Sequence, residues 1–216
     1  LLSYLQLRRA IGWTGIMLSP TLLTGFYLGY PQCALPPTIS HFYYTGLGTY
    51  FTGTLISIAV FLFFYLGPQK IDRTIARLAA ICACIVAFCP TSPYCQQCPD
   101  CTYINLFPYP LQSLLHYCAA VLLFLLLAFF CIFLFTRTHP DRPPTRQKLW
   151  RNRIYRCCGT IILLCLLILG GVEGHLLPGW QMLVRWPTLV LAGETIALTA
   201  FGVSWLIKGA AWLQDA

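Results

Sequence analysis

The run Ala119–Phe135, AAVLLFLLLAFFCIFLF, holds no charged or amide side chain in seventeen residues. A helix of this composition has no polar face to offer water, so its natural solvent is lipid. Five further apolar runs accompany it. The candidate spans are about 10–30, 47–66, 74–88, 113–135, 157–177 and 187–207. Each is near the roughly 20 residues that carry a helix across a bilayer core of about 30 Å; the third is short and is expected to extend into its flanks. Lipid cannot satisfy free backbone groups, and none of the runs alternates like a barrel strand, so helix is the expected state. Only 9% of the chain is charged, against about 25% for a soluble domain. The expected fold class is all-α: a polytopic bundle of six transmembrane helices forming one domain over residues 1–216, with a small disulfide-linked outer cap. The first run lacks a small-x-small cleavage site and is long for a signal peptide, so it reads as a retained span.

The net charge of +8 is distributed by side. Arg8 and Arg9 precede the first span. Lys70, Arg73 and Arg77 lie between the second and third. Arg137, Arg142, Arg146, Lys148, Arg151, Arg153 and Arg156 lie between the fourth and fifth, and Lys208 follows the sixth. Thirteen of the fourteen basic residues thus share one side, leaving Arg185 on the other. By the positive-inside rule that side, with both termini, is cytoplasmic. The basic loop is expected to face anionic lipid headgroups. The partners expected are membrane lipids and other membrane-protein subunits, not nucleic acid.

The same topology puts the stretch CPTSPYCQQCPDC, residues 89–101, outside. In a bacterial inner membrane it is periplasmic, an oxidising compartment. Cys33, Cys89, Cys95, Cys98, Cys101 and Cys118 all fall on that side, an even set of six. Structural disulfides are the first reading, with up to three bridges. A zinc or iron–sulfur site is a second, since Cys95, Cys98 and Cys101 are each two residues apart. A thiol–disulfide relay to a membrane quinone is a third, because Cys95-x2-Cys98 has redox spacing. Cys82, Cys84, Cys131, Cys157, Cys158 and Cys165 read as small apolar packing residues.

Ionisable groups inside spans cost about 2.5–3.5 kcal/mol at a helix centre, so each needs a reason. His41 lies just before the second span. His116 lies about one turn into the fourth. Glu173 and His175 lie near the outer end of the fifth, and Glu194 about two turns into the sixth. All five fall in the outer third of the bilayer. His41, His116 and His175 form a possible zinc ligand set, with a water as fourth ligand and a spare carboxylate as general base. The alternative is that they anchor helices at the interface or hydrogen-bond between them, with Glu194 pairing to Arg185.

Other features read as architectural. Gly170-x3-Gly174 permits close helix approach. The small, polar residues Gly46, Gly48, Thr49, Thr52, Gly53, Thr54 and Ser57 suit the second span to a central position. Tyr43, Tyr44, Tyr103, Trp180 and Trp186 form an expected outer aromatic belt, and Trp150 and Trp212 an inner one. Pro20, flanked by Ser19 and Thr21, is expected to kink the first span.

The segments PTISHFYYTGLGTYFTGTLISIAVFLFFY, AFCPT and GETIALTAFGVSWLIKG resemble a group of uncharacterised bacterial multi-pass membrane proteins. That resemblance covers most of the chain and implies no activity. Six helices with cytoplasmic ends are similar to the DRAM-type autophagy-modulator family. The outer histidines resemble those of the alkaline ceramidase and adiponectin receptor superfamily, where a zinc is held by three histidines. The chain departs from that pattern, since its last span has no histidine and no His-x3-His pair occurs. The Cys95–Cys98 motif resembles that of the periplasmic disulfide-forming membrane oxidoreductases.

Three functions are therefore expected in order. The first is an accessory or binding membrane protein that supports an assembly or holds a lipid or quinone. The second is a zinc-dependent hydrolase acting on a lipid or amide at the outer interface. The third is a quinone-linked thiol–disulfide oxidoreductase.

Overall fold

A computed structural model of the chain describes residues 2–91, 108–138, 143–173 and 188–210. Among them are six α-helices and no strand: α1 Leu2–Gly29, α2 Gly48–Phe63, α3 Lys70–Phe88, α4 Tyr109–Phe129, α5 Arg146–Glu173 and α6 Leu189–Lys208. A 3-10 turn, Ser40–Tyr44, precedes α2, and α4 runs on into a π-turn, Phe130–Leu134. The protein is all-α. Three segments, Pro110–Leu134, Arg146–Gly171 and Leu189–Lys208, are long and apolar enough to cross a membrane.

The helices form a closed ring in chain order, each packed on the next, with α1 returning against α6. Their ends alternate. At one end Tyr4, from the start of α1, stacks on Tyr65, just past α2. Arg137, beyond α4, pairs with Asp72 in the first turn of α3 at 3.1 Å. Lys148, in the first turn of α5, donates to Phe135 O at 2.9 Å. Arg8 donates to Lys208 O at 3.3 Å, and Arg9 to Gly209 O and Ala210 O at 2.9 Å each. Lys148, Arg8 and Arg9 thus sit on the carbonyl ends of helices, where the dipole favours them. At the opposite end Phe26 of α1 packs edge-on against Phe42, and Leu191 N–H of α6 donates to Pro37 O at 3.1 Å.

Fully buried Trp205 sits among Tyr65, Phe130, Phe135 and Phe201, with ring centroids 5.1–6.0 Å away. The outward faces remain apolar: Phe64, Ile81, Leu122, Leu125, Leu164 and Leu167 are all exposed. Water-soluble monomers rarely leave so much apolar surface open.

Several expectations shift. α5 begins at Arg146, inside the basic loop, eleven residues before the expected start. α3 extends back to Lys70, as expected for so short a run, and Gln69 and Asp72 form a reciprocal cap there. Pro20 lies inside α1, which is assigned as one helix from Leu2 to Gly29. A methyl on Gly170 would meet no described atom within 4 Å, and Gly174 lies outside the described residues. The tight seam is between α1 and α6: a Cβ on Gly202 would lie 2.5 Å from Gly12 O. The small, polar residues of α2 divide: Gly48 and Thr54 are buried. Thr49, Gly53 and Ser57 are exposed and, with Thr14 of α1, line a shallow outward groove.

Cys89 and Cys118 carry free thiols, as do the six cysteines expected to be packing residues. This corrects the disulfide expectation for that pair: Cys89 is buried at the C-cap of α3 and Cys118 lies on an exposed face of α4. Cys33 is disulfide-bonded. Cys95, Cys98 and Cys101 lie outside the described residues, as do His175, Arg185, Tyr103, Trp180, Trp186 and Trp212.

Candidate functional site

The end of the ring away from the arginines holds a cavity of about 230 Å³. Its floor and rim come from the segment before α2 (Pro37, Thr38, Ser40, His41), from Thr91 after α3, and from His116 near the start of α4. Its walls are Ala120, Val121 and Phe124 of α4, Leu166, Leu169 and Gly170 of α5, and Val190 of α6; Glu194 of α6 adds a carboxylate. Three of the five ionisable residues singled out from the sequence, His41, His116 and Glu194, therefore line one cavity. Glu173 ends α5, with its side chain outside the described atoms.

Packing brings these residues together from distant parts of the chain. Pro36 and Pro37 keep residues 34–37 out of helix, since proline lacks an N–H and restricts its predecessor. The segment is then clamped to α6 twice. Leu191 N–H donates to Pro37 O, and Ile39 N–H donates to Glu194 Oε2 at 2.5 Å. Glu194 thus satisfies a backbone donor that would otherwise be lost at depth. Below the clamp, Tyr44 donates its phenolic proton to Thr91 O, tying the 3-10 turn to the end of α3.

The two imidazoles are held differently. His41 Nδ1 is 2.6 Å from Thr38 Oγ1, and its Nε2 is 3.4 Å from Thr91 Oγ1. His116 is 2% exposed. Its Nδ1 lies 2.6 Å from Cys89 O, the carbonyl at the C-cap of α3. A carbonyl only accepts, so Nδ1 carries the proton. The remaining nitrogen, Nε2, lies 3.0 Å from Ser40 Oγ and, in the neutral ring, accepts the serine proton. Nearby, burial pushes the Tyr43 phenol up from its ordinary value, with the Cys89 thiol adding to the effect, so it stays protonated at neutral pH.

This geometry bears on the zinc set. No group of three His, Cys, Asp or Glu side chains among the described residues is arranged to hold a metal ion. His116 would have to give up Ser40 to present Nε2 to a cation, and His175 is outside the described residues. Sequence reasoning passed over Ser40 entirely. Its only signal was its place beside His41 at the mouth of a predicted span.

Along α4 the lining passes from His116 to Phe124. Phe124 is eight residues beyond His116 on α4, or about 12 Å deeper. Small-molecule sites usually measure about 300–1,000 Å³, so this one admits one end of a lipid-sized molecule rather than the whole. No family model, curated protein or solved structure matches the chain.

Proposed function

We propose that the chain is an integral membrane protein whose six helices all cross the bilayer and whose outer cavity holds the polar end of an amphipathic small molecule, a lipid or a quinone. The basic ends of the helices face the cytoplasm in this reading. The cavity faces the periplasmic side of an inner membrane, beneath a cap that the Cys33 disulfide staples.

One observation carries the proposal. His41, Ser40, His116 and Glu194 share a cavity with an apolar wall made by Ala120, Val121, Phe124, Leu166 and Leu169. A few convergent polar groups over an apolar wall is the usual make-up of a small-molecule site. Exposed apolar faces on the helices around it supply the lipid contact the proposal needs.

Native mass spectrometry of the detergent-purified protein tests it. The expected result is a retained amphipathic adduct at one per chain, identifiable after organic extraction. Gly170→Leu, which adds bulk where the cavity leaves open space, is expected to abolish it. A wild-type chain that carries no adduct and takes up none from lipid or quinone mixtures overturns the proposal.

A further inference from the structure

We propose that Ser40 and His116 form the nucleophile and general base of an acyl hydrolase, acting on an ester of a membrane lipid whose carbonyl enters the outer cavity; this rests on the cavity's admitting an amphipathic molecule. Ser40 Oγ lies 3.0 Å from His116 Nε2, and both line the cavity. His116 Nδ1 lies 2.6 Å from Cys89 O. The order hydroxyl, imidazole, fixed acceptor is the arrangement that activates a serine.

The third member here is a backbone carbonyl instead of a carboxylate. It fixes the ring orientation and the tautomer, which are the two jobs an orienting group must do. It also stands at the C-terminus of α3, whose dipole favours the imidazolium that forms during transfer. Glu194 is a positioning residue: it grips Ile39 N–H at 2.5 Å, directly before the nucleophile. A hydroxyl on an imidazole over an apolar wall is more than a site needs for merely packing a lipid tail.

In the reaction, Ser40 Oγ bonds to the acyl carbon while its proton passes to His116 Nε2. The carbon–oxygen bond to the leaving alcohol breaks, and that alcohol takes the proton from Nε2. Water then attacks the acyl-serine, giving its proton to His116, and the released Ser40 oxygen recovers it. The products are a fatty acid and an alcohol, with no oxidant or reductant required.

A fluorophosphonate probe on the full chain in detergent tests the assignment, read by peptide mass spectrometry. The expected adduct is on Ser40. It is absent in Ser40→Ala and at least about a hundredfold slower in His116→Gln, within the range general-base catalysis supplies. Wild-type labelling is also expected to slow as pH falls and the imidazole takes up a proton, a readout that needs no variant to fold. A chain that retains its amphipathic adduct yet leaves Ser40 unlabelled overturns the hydrolase and spares the binding site. Labelling of Ser40 that ignores His116→Gln overturns the dyad.

Discussion

Asp72, in the first turn of α3, takes the guanidinium of Arg137 at 3.1 Å and the backbone N–H of Gln69 at 2.8 Å, while itself only 2% exposed. One carboxylate thus starts a helix and ties it to the far end of α4. Removing it leaves Arg137 with only Gln69 Oε1, at 2.7 Å, and takes the cap from the Gln69 N–H. Asp72→Ala is expected to cost about 1–3 kcal/mol, the range for losing a helix cap or leaving a buried polar group unsatisfied. Arg137 is 35% exposed, so Arg137→Ala is expected to cost less, about 0–1 kcal/mol. Thermal unfolding in detergent, followed by thiol-reactive fluorescence, ranks the two; the reverse order would show that Asp72 is not the organising partner.

The α1–α6 seam gives a second prediction. A Cβ on Gly202 would meet Gly12 O at 2.5 Å and Ile16 Cγ1 at 2.5 Å. Gly202→Ala is expected to force the helices apart, at about 1–3 kcal/mol for overpacking. Gly170→Ala, at a position with open space, is expected to be neutral or to stabilise α5 by up to about 1 kcal/mol. The same melting assay checks both, and equal effects would contradict the seam.

Thiol state gives a third. Non-reducing peptide mapping is expected to find Cys33 in a disulfide and Cys89 and Cys118 alkylated as free thiols. Cys33→Ser is expected to cost about 2–4 kcal/mol, whereas Cys118→Ser, on an exposed face, is expected to stay within about 0.5 kcal/mol. Finding Cys33 alkylated in the untreated protein would remove the staple, and finding a bond between Cys89 and Cys118 would contradict the described geometry.

Topology gives a fourth. Gly29, at the cavity end, and Pro144, at the basic end, are both exposed. In intact cells a membrane-impermeant maleimide is expected to modify Gly29→Cys and to reach Pro144→Cys only after permeabilisation. Equal labelling of the two from outside would contradict a bundle with its basic ends in the cytoplasm.

What could be read from the sequence follows the strength of each physical signal. Long apolar runs and one-sided arginines marked the helices, because lipid exposure demands the first and the basic ends of the bundle gather the second. Charge in an apolar run is rare enough that His41, His116 and Glu194 stood out, and all three line one cavity. Ser40 did not stand out, because serine is common at helix mouths and its partner is 76 residues away. The start of α5 was hidden inside arginines, which favour helix as readily as loop. The Gly12–Gly202 seam has no local pattern, since its halves lie at opposite ends of the chain.

The most direct test of the central claim is photocrosslinking with diazirine-bearing phospholipid and quinone probes, mapped to residues by mass spectrometry. Modification is expected to concentrate on the cavity wall, at Ala120, Phe124, Leu166 and Leu169, and to be reduced by Gly170→Leu. Modification confined to the outward residues Leu122, Leu125 and Leu167, and unchanged in that variant, would contradict a cavity that holds a ligand.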